Sequence, residues 1–164
     1  MSRSELTIDL GALRRNVATL RRTLDGAELW AVVKADGYGH GAVDVSRAAL
    51  EAGASALCVV TAAEALELRG ALPDARILCM GPLETNEVAV ARDAGVEVAV
   101  AAGRIPEGVR VHLKLDTGMG RFGMSEVVSP TRDVVGMISR SQIVLALARY
   151  EFNGNGDDAG DATG

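Results

Sequence analysis

Two residues with amine chemistry stand out because the rest of the chain avoids their type. Of 17 basic residues all but two are arginine, and the exceptions are Lys34 and Lys114. Arginine stays protonated in proteins, whereas a lysine amine can lose its proton, attack a carbonyl and form a Schiff base. Each lysine closes an apolar run and opens a glycine-rich stretch. The first reads Val33-Lys34-Ala35-Asp36-Gly37-Tyr38-Gly39-His40-Gly41. The second reads Lys114-Leu115-Asp116-Thr117-Gly118-Met119-Gly120-Arg121-Phe122-Gly123. A lysine leaving a buried strand is partly desolvated, which favours its neutral, nucleophilic form. Tyr38 can hydrogen-bond a phosphate or a ring substituent, and the neighbouring glycines let backbone approach a ligand closely. Arg121 can grip a carboxylate bidentately or donate to a ring oxygen. The plainer alternative is a snorkelling lysine before an ordinary turn, with two lysines left over by chance.

Two literal matches in the second stretch point elsewhere and fail on context. Gly118, Gly120 and Gly123 have the spacing of a dinucleotide fingerprint. That fingerprint needs an acidic residue about 20 positions on and a place after the first strand, and this stretch follows the fifth. Asp116-Thr117-Gly118 matches the aspartic-protease triplet, whose chemistry requires paired aspartates on a β-rich fold.

The elements that must position these residues are legible as strand–helix units. Short, nearly continuous apolar runs cover 29–34, 56–60, 75–80, 96–101 and 109–115. Runs of this length bounded by Gly or Pro suit strands buried on both faces of a parallel sheet. Helical patterns lie between them. Leu13, Val17, Leu20 and Leu24 share one stripe, and 42–52, 62–72 and 84–94 read similarly. Gly53 and Gly95 follow two of these helices and predict left-handed stops. The interval 103–108 is too short for an ordinary helix, so one crossover helix is missing. A further strand is expected at 134–138, with an apolar run of undecided type at 143–149. The segment from 153 is rich in Gly, Asp and Asn, has nothing to bury and reads as disordered.

Length and composition bound the rest. The chain has 164 residues, 48% of them hydrophobic and 24% charged, with net charge -5. That describes one globular domain, too short for a complete eight-stranded α/β barrel of about 250 residues. A net negative charge offers no electrostatic case for nucleic acid or anionic membranes. No apolar run approaches the ~18 residues of a membrane span, and no signal-peptide core follows the N-terminus, so a cytoplasmic address is the default. Cys58 and Cys79 read as buried thiols in a reduced compartment, and no metal-ligand pattern is present.

The ordered pair of lysine motifs, with Leu6-Thr7-Ile8-Asp9-Leu10 and Asn16 near the start, resembles the alanine racemase family from about residue 5 to Ile138. The resemblance implies a partial (β/α)8 TIM-type barrel of about five to six parallel strands, an α/β fold left incomplete. Residues 1–148 would be the partial cofactor-binding barrel and 149–164 a disordered tail, with the family's C-terminal β domain absent. It implies pyridoxal 5'-phosphate as cofactor, L- and D-alanine as substrates, a homodimer, and D-alanine supply for peptidoglycan. By resemblance Lys34 binds the cofactor covalently and serves as one of two racemisation bases. Tyr38 contacts the cofactor phosphate. Arg121 lies near the cofactor's phenolic oxygen and the substrate carboxylate. Lys114 corresponds to a lysine carbamylated in several members, which helps hold that arginine.

His40 reads as a loop cap, His112 as structural, Trp30 as core, and Met119 and Phe122 as loop-shaping residues. Past Ile138 the family pattern is expected to stop, with Arg140 in place of a family histidine that stacks on the cofactor. The second base, a tyrosine, belongs to the part of the family not represented here. A truncated or frame-shifted, inactive and marginally stable chain is therefore expected. The rival readings are another pyridoxal-phosphate racemase acting on serine or a broader range, a non-catalytic cofactor-binding barrel protein, and an inert fragment.

Overall fold

The structure, a computed structural model, describes residues 6–101, 104–116 and 118–124, together with the backbone of two short strands at Val127–Val128 and Val134–Gly136. Five strands, β1 (Trp30–Val32), β2 (Ala56–Val59), β3 (Ile77–Cys79), β4 (Glu97–Val100) and β5 (Val111–Leu113), form one parallel sheet in chain order. Each sits within an apolar run expected to be a strand. Consecutive parallel pairing is what repeated βα units produce. The sheet does not close on itself; β1 and β5 are its two edges.

The helices follow the stripes. In α1 (Leu10–Thr23), Asp9 caps the first turn by accepting from the Ala12 amide at 2.9 Å, and Arg21 and Arg22 sit in the last turn. Both charges complement the helix dipole. Next come α2 (Lys34–Gly39), α3 (Ala42–Glu51), α4 (Ala62–Ala71) and α5 (Thr85–Asp93). Gly53 and Gly95 take the left-handed conformation, with φ of 100° and 62°, where α3 and α5 stop. Between β4 and β5, residues 104–110 carry no helix, as the shortness of that interval predicts.

Strand register sorts the side chains onto two faces. Leu57 pairs with Ile77, Val59 with Cys79, and Cys79 with Val98, making an apolar row against the helices. With Val33, Val96 and the helix residues Val45, Ala65, Leu68 and Ala91 they form the main core. Leu57, Ile77 and Cys79 are fully buried, and burying a leucine or isoleucine contributes roughly 1.5–3 kcal/mol. A smaller cluster of Val17, Ala49 and Ala54 fastens α1 over α3. Both cysteines are buried free thiols, as expected; burial and nearby Glu97 push Cys58 up to about 11.

The other face differs. Val32, Cys58, Leu78 and Glu97 lie in one register row, with Ala99 and His112 in the next. Val32 remains 41% exposed there. Glu97 is buried, and three partners converge on it: Arg76 Nε at 2.6 Å, Arg110 at 2.7 Å and His112 Nε2 at 2.5 Å. The Arg76 guanidinium stacks on the Trp30 ring at 4.4 Å, and His112 meets that ring edge-on. His112 is thus structural, as expected. Trp30 is half-buried in a charged cluster rather than in the apolar core.

Two expectations need correction or lie elsewhere. Val134–Gly136 is a strand, but it pairs antiparallel with Val127–Val128 outside the main sheet, so the parallel sheet has five strands. The five residues between the two cannot make a parallel crossover, which takes a dozen or more. The apolar run at 143–149, Arg140 and the tail expected to be disordered lie outside the described residues.

Glu97 predicts an acid limb to stability. Burial pushes its carboxyl up, but the hydrogen bonds from His112, Arg76 and Arg110 outweigh burial and hold it at about 2, below the ordinary 4.5. A depressed folded pKa gives stability that is full above pH 4.5 and lost as pH falls toward 2, on the order of 3 kcal/mol. Urea unfolding followed by Trp30 emission should therefore weaken steeply from pH 5 to 3. Glu97→Gln should unfold at lower urea at pH 7 and show a flatter acid limb; a wild-type slope in that variant contradicts the account.

Candidate active site

Lys34 and Lys114 both lie just past the carboxyl ends of parallel strands, on one rim of the sheet. In parallel α/β folds that rim collects reactive groups. The two strands are the sheet's edges, about 19 Å apart along a flat sheet of five strands. Sheet curvature sets how nearly the loops face one another.

The Lys34 stretch folds into a left-handed turn. Ala35, Asp36, Gly37 and Tyr38 have φ between 52° and 61° and ψ between 36° and 53°. Left-handed helical backbone costs roughly 1–2 kcal/mol for each residue that carries a Cβ, and three of these four do. Only at Gly37 is the conformation free, and there a Cβ would also press to 3.3 Å from the Ala42 Cα. Hydrogen bonds hold the turn from both ends. The Gly37 amide donates to Val33 O at 2.9 Å, and the Gly41 amide to Asp36 O at 3.0 Å. The Asp36 carboxylate accepts from the Ala42 amide at 2.7 Å, capping α3 from outside because Gly41 has no side chain to do so. His40 Nδ1 lies 3.0 Å from Gly37 O, consistent with its reading as a loop cap.

Glu64 grips the start of the turn, and no reading of single motifs pointed to it. It is the third residue of α4 and forms a reciprocal capping box with Thr61. One oxygen accepts from the Val60 and Thr61 amides at 2.9 and 3.0 Å; the other reaches 29 residues back to the Ala35 amide at 2.6 Å. Partial burial raises its pKa, but the amides of Ala35, Val60 and Thr61 outweigh that and lower it overall. The Thr61-x-x-Glu64 spacing signals a capping box. The long reach to Ala35 has no local signal.

Lys34 itself is half-buried, has no carboxylate partner among the described residues, and places Nζ 5.3 Å from the Tyr38 ring centroid. Tyr38 is 58% exposed. Beside Gly39 and Gly41 the space is open. An amine free of any counter-carboxylate, an accessible phenol and room next to the backbone fit a carbonyl-bearing phosphorylated cofactor.

The second loop is organised by one carboxylate. Asp116 Oδ1 accepts the amides of Gly118, Met119 and Gly120 at 2.8, 3.0 and 3.1 Å. Those bonds lower the Asp116 pKa, with Gly118 the largest contributor. They also occupy the amides that a dinucleotide phosphate would need, and among the described residues no helix follows, so the fingerprint match carries no such function. The loop returns through a bridge between Leu115 and Met124, where a Cβ on Gly123 would sit 2.4 Å from the Asp116 nitrogen. Arg121 and Met119 are exposed on this loop, and Lys114 Nζ lies 5.9 Å from the Phe122 ring. Arg121 has no ion-pair partner among the described residues. A cleft of about 740 Å³ lies at the opposite rim. Its arginines are already engaged: Arg69 donates to backbone carbonyls, and Arg76 and Arg110 bind Glu97. Among the described residues no cluster of His, Cys, Asp and Glu could hold a metal, and no helix is long and apolar enough to cross a membrane.

Known proteins bear on this arrangement. The family model described as alanine racemase, N-terminal domain, matches residues 8–148. The alanine racemase of Beutenbergia cavernae is 48% identical over 128 residues, covering 71% of this chain and 34% of the relative. That of Geobacillus stearothermophilus is 42% identical over 162 residues, covering 92% of this chain and 42% of the relative. The solved alanine racemase from Streptomyces coelicolor superposes with a TM-score of 0.65 at 44% identity, covering 71% of this chain and 34% of that one. The chain thus spans between a third and about two-fifths of the length of these relatives. The family match continues to residue 148, ten residues past Ile138.

Asp116 predicts a loop that opens when its carboxylate goes. Asp116→Ala should speed tryptic cleavage after Arg121 by roughly tenfold relative to wild type, the size expected for releasing charge-assisted bonds. Unchanged cleavage would show that the loop does not depend on those bonds.

Proposed function

The chain belongs to the alanine racemase family, and on that footing we propose that it supplies the lysine half of a pyridoxal-phosphate-dependent alanine racemase. Residues 1–148 make up the cofactor-binding segment of an α/β barrel. The observation that carries this reading is the Lys34 amine: unpaired by any carboxylate among the described residues, presented by a braced turn beside Tyr38, on the same rim as Arg121.

Racemisation removes the α-proton from one face of an amino acid and returns it to the other. Bound pyridoxal phosphate supplies an aldehyde for amine condensation and a conjugated ring that takes up the electron pair left behind. Lys34 would hold the cofactor and then, as a free amine, accept and return the proton on its own face. The exposed Tyr38 hydroxyl would donate to the phosphate. The permanent charge of Arg121 would grip the substrate carboxylate or donate to the ring's phenolic oxygen. Lys114, at the root of the Arg121 loop, would act as a carbamate that steadies that guanidinium, a chemistry closed to arginine. The proton on the opposite face needs a second base, which this reading assigns to the remainder of the protein, in a homodimer. L- and D-alanine are the proposed substrates, and cytoplasmic supply of D-alanine for peptidoglycan the proposed role.

The test is a chemical trap. Wild-type chain mixed with pyridoxal phosphate and reduced with borohydride should carry the adduct at Lys34, located by peptide mass, well above Lys114. Lys34→Ala should lose it, and Lys114→Ala should keep it. A coupled D-alanine assay on this chain alone should show no turnover, for want of the second base. Equal labelling of both lysines would overturn the assignment.

A further inference from the structure

We propose that Glu64 is a positioning residue for the Lys34 amine, acting through its carboxylate bond to the Ala35 amide; this rests on Lys34 being the reactive amine of the preceding section. Three N–H groups converge on this carboxylate, and they come from two different strand ends. Val60 and Thr61 lie past β2, and Ala35 lies past β1. Pairing of β1 with β2 brings those ends together, with the Val33 amide donating to Cys58 O. The N-terminus of α4 adds a favourable field for negative charge. Glu64 therefore ties the first left-handed residue after the lysine to the neighbouring βα unit.

That tie acts where the backbone is least favourable. Ala35 carries a Cβ at φ 52° immediately after Lys34, so left to itself this residue would return to the ordinary region and swing the lysine stem. Asp36 braces the far end of the same turn, while among the described residues the near end is held by Glu64 and the backbone bond between Val33 and Gly37. Neutral glutamine cannot replace Glu64. Three donors face two oxygens, and an amide presents one oxygen and one NH2, so one side of the clamp must meet donor with donor. Aspartate keeps the charge and still suits the first turn of α4, but it is one methylene too short to span to Ala35.

The capping role and the positioning role separate experimentally. In the full 164-residue chain, Glu64→Asp and Glu64→Gln should speed hydrogen exchange of the Ala35 amide by about tenfold or more, as loss of a charge-assisted bond requires. Both should also lower the ratio of Lys34 to Lys114 labelling by pyridoxal phosphate and borohydride several-fold. Thr61→Ala removes the other half of the capping box but leaves the Ala35 bond. It should lower the urea midpoint without moving either readout. Acetic anhydride serves as a cofactor-independent probe of the same ratio. If pyridoxal phosphate fails to label wild-type Lys34 while Ala35 exchange and the anhydride ratio still respond to Glu64, the functional reading falls and the positioning role stands. If both Glu64 variants leave Ala35 exchange and the anhydride ratio at wild-type values, or if Thr61→Ala moves them equally, Glu64 is a helix cap and nothing more.

Discussion

A left-handed turn is a poor place to keep a working side chain unless something outside the turn insists on it. Between β1 and α3 that insistence comes from two carboxylates, Glu64 at the entry and Asp36 at the exit. Three residues with side chains sit in backbone that would cost several kcal/mol unaided. What results is a lysine whose stem starts from a fixed point, between the buried Val33 and an open, glycine-lined rim. Pre-set geometry of this kind is what a proton-transfer base requires, because the proton moves only over hydrogen-bond distances.

The sheet beneath serves the two rims differently. Its helix-facing side is an unbroken apolar layer of Leu57, Val59, Ile77, Cys79 and Val98, and it fixes the strands in space. Its other side carries the Glu97 cluster, in which Trp30, Arg76, Arg110 and His112 bury one carboxylate. Breaking a buried charge cluster is far costlier than replacing it whole, so these residues depend on one another. Because Trp30 begins β1 and His112 lies in β5, the cluster joins the two edge strands from below while their far ends carry Lys34 and Lys114.

Much of this was legible in the residues. Apolar runs bounded by Gly or Pro marked all five parallel strands, and the stripe of Leu13 and Val17 marked α1. The scarcity of lysine directed attention to positions 34 and 114. Family resemblance then attached roles to Lys34, Tyr38, Lys114 and Arg121. What escaped was non-local. Nothing near Glu64 in the chain says that its second oxygen reaches Ala35, and Glu97 looks like a stray charge in an apolar run until Arg76, Arg110 and His112 close on it from neighbouring βα units. The left-handed turn escaped too, because Ala35 and Tyr38 are residues whose own preferences point away from it. At 134–138 a strand was foreseen but its partner was not, since pairing direction depends on connection length rather than on apolar pattern.

The sign of one stability change bears most directly on the account. In a right-handed helical turn Ala35→Gly costs about 1 kcal/mol. In a left-handed one glycine relieves the Cβ penalty, so the urea-unfolding free energy should hold steady or rise by up to about 1 kcal/mol. A loss of about 1 kcal/mol on making that substitution would contradict the left-handed presentation of Lys34, and with it the geometry from which the function is inferred.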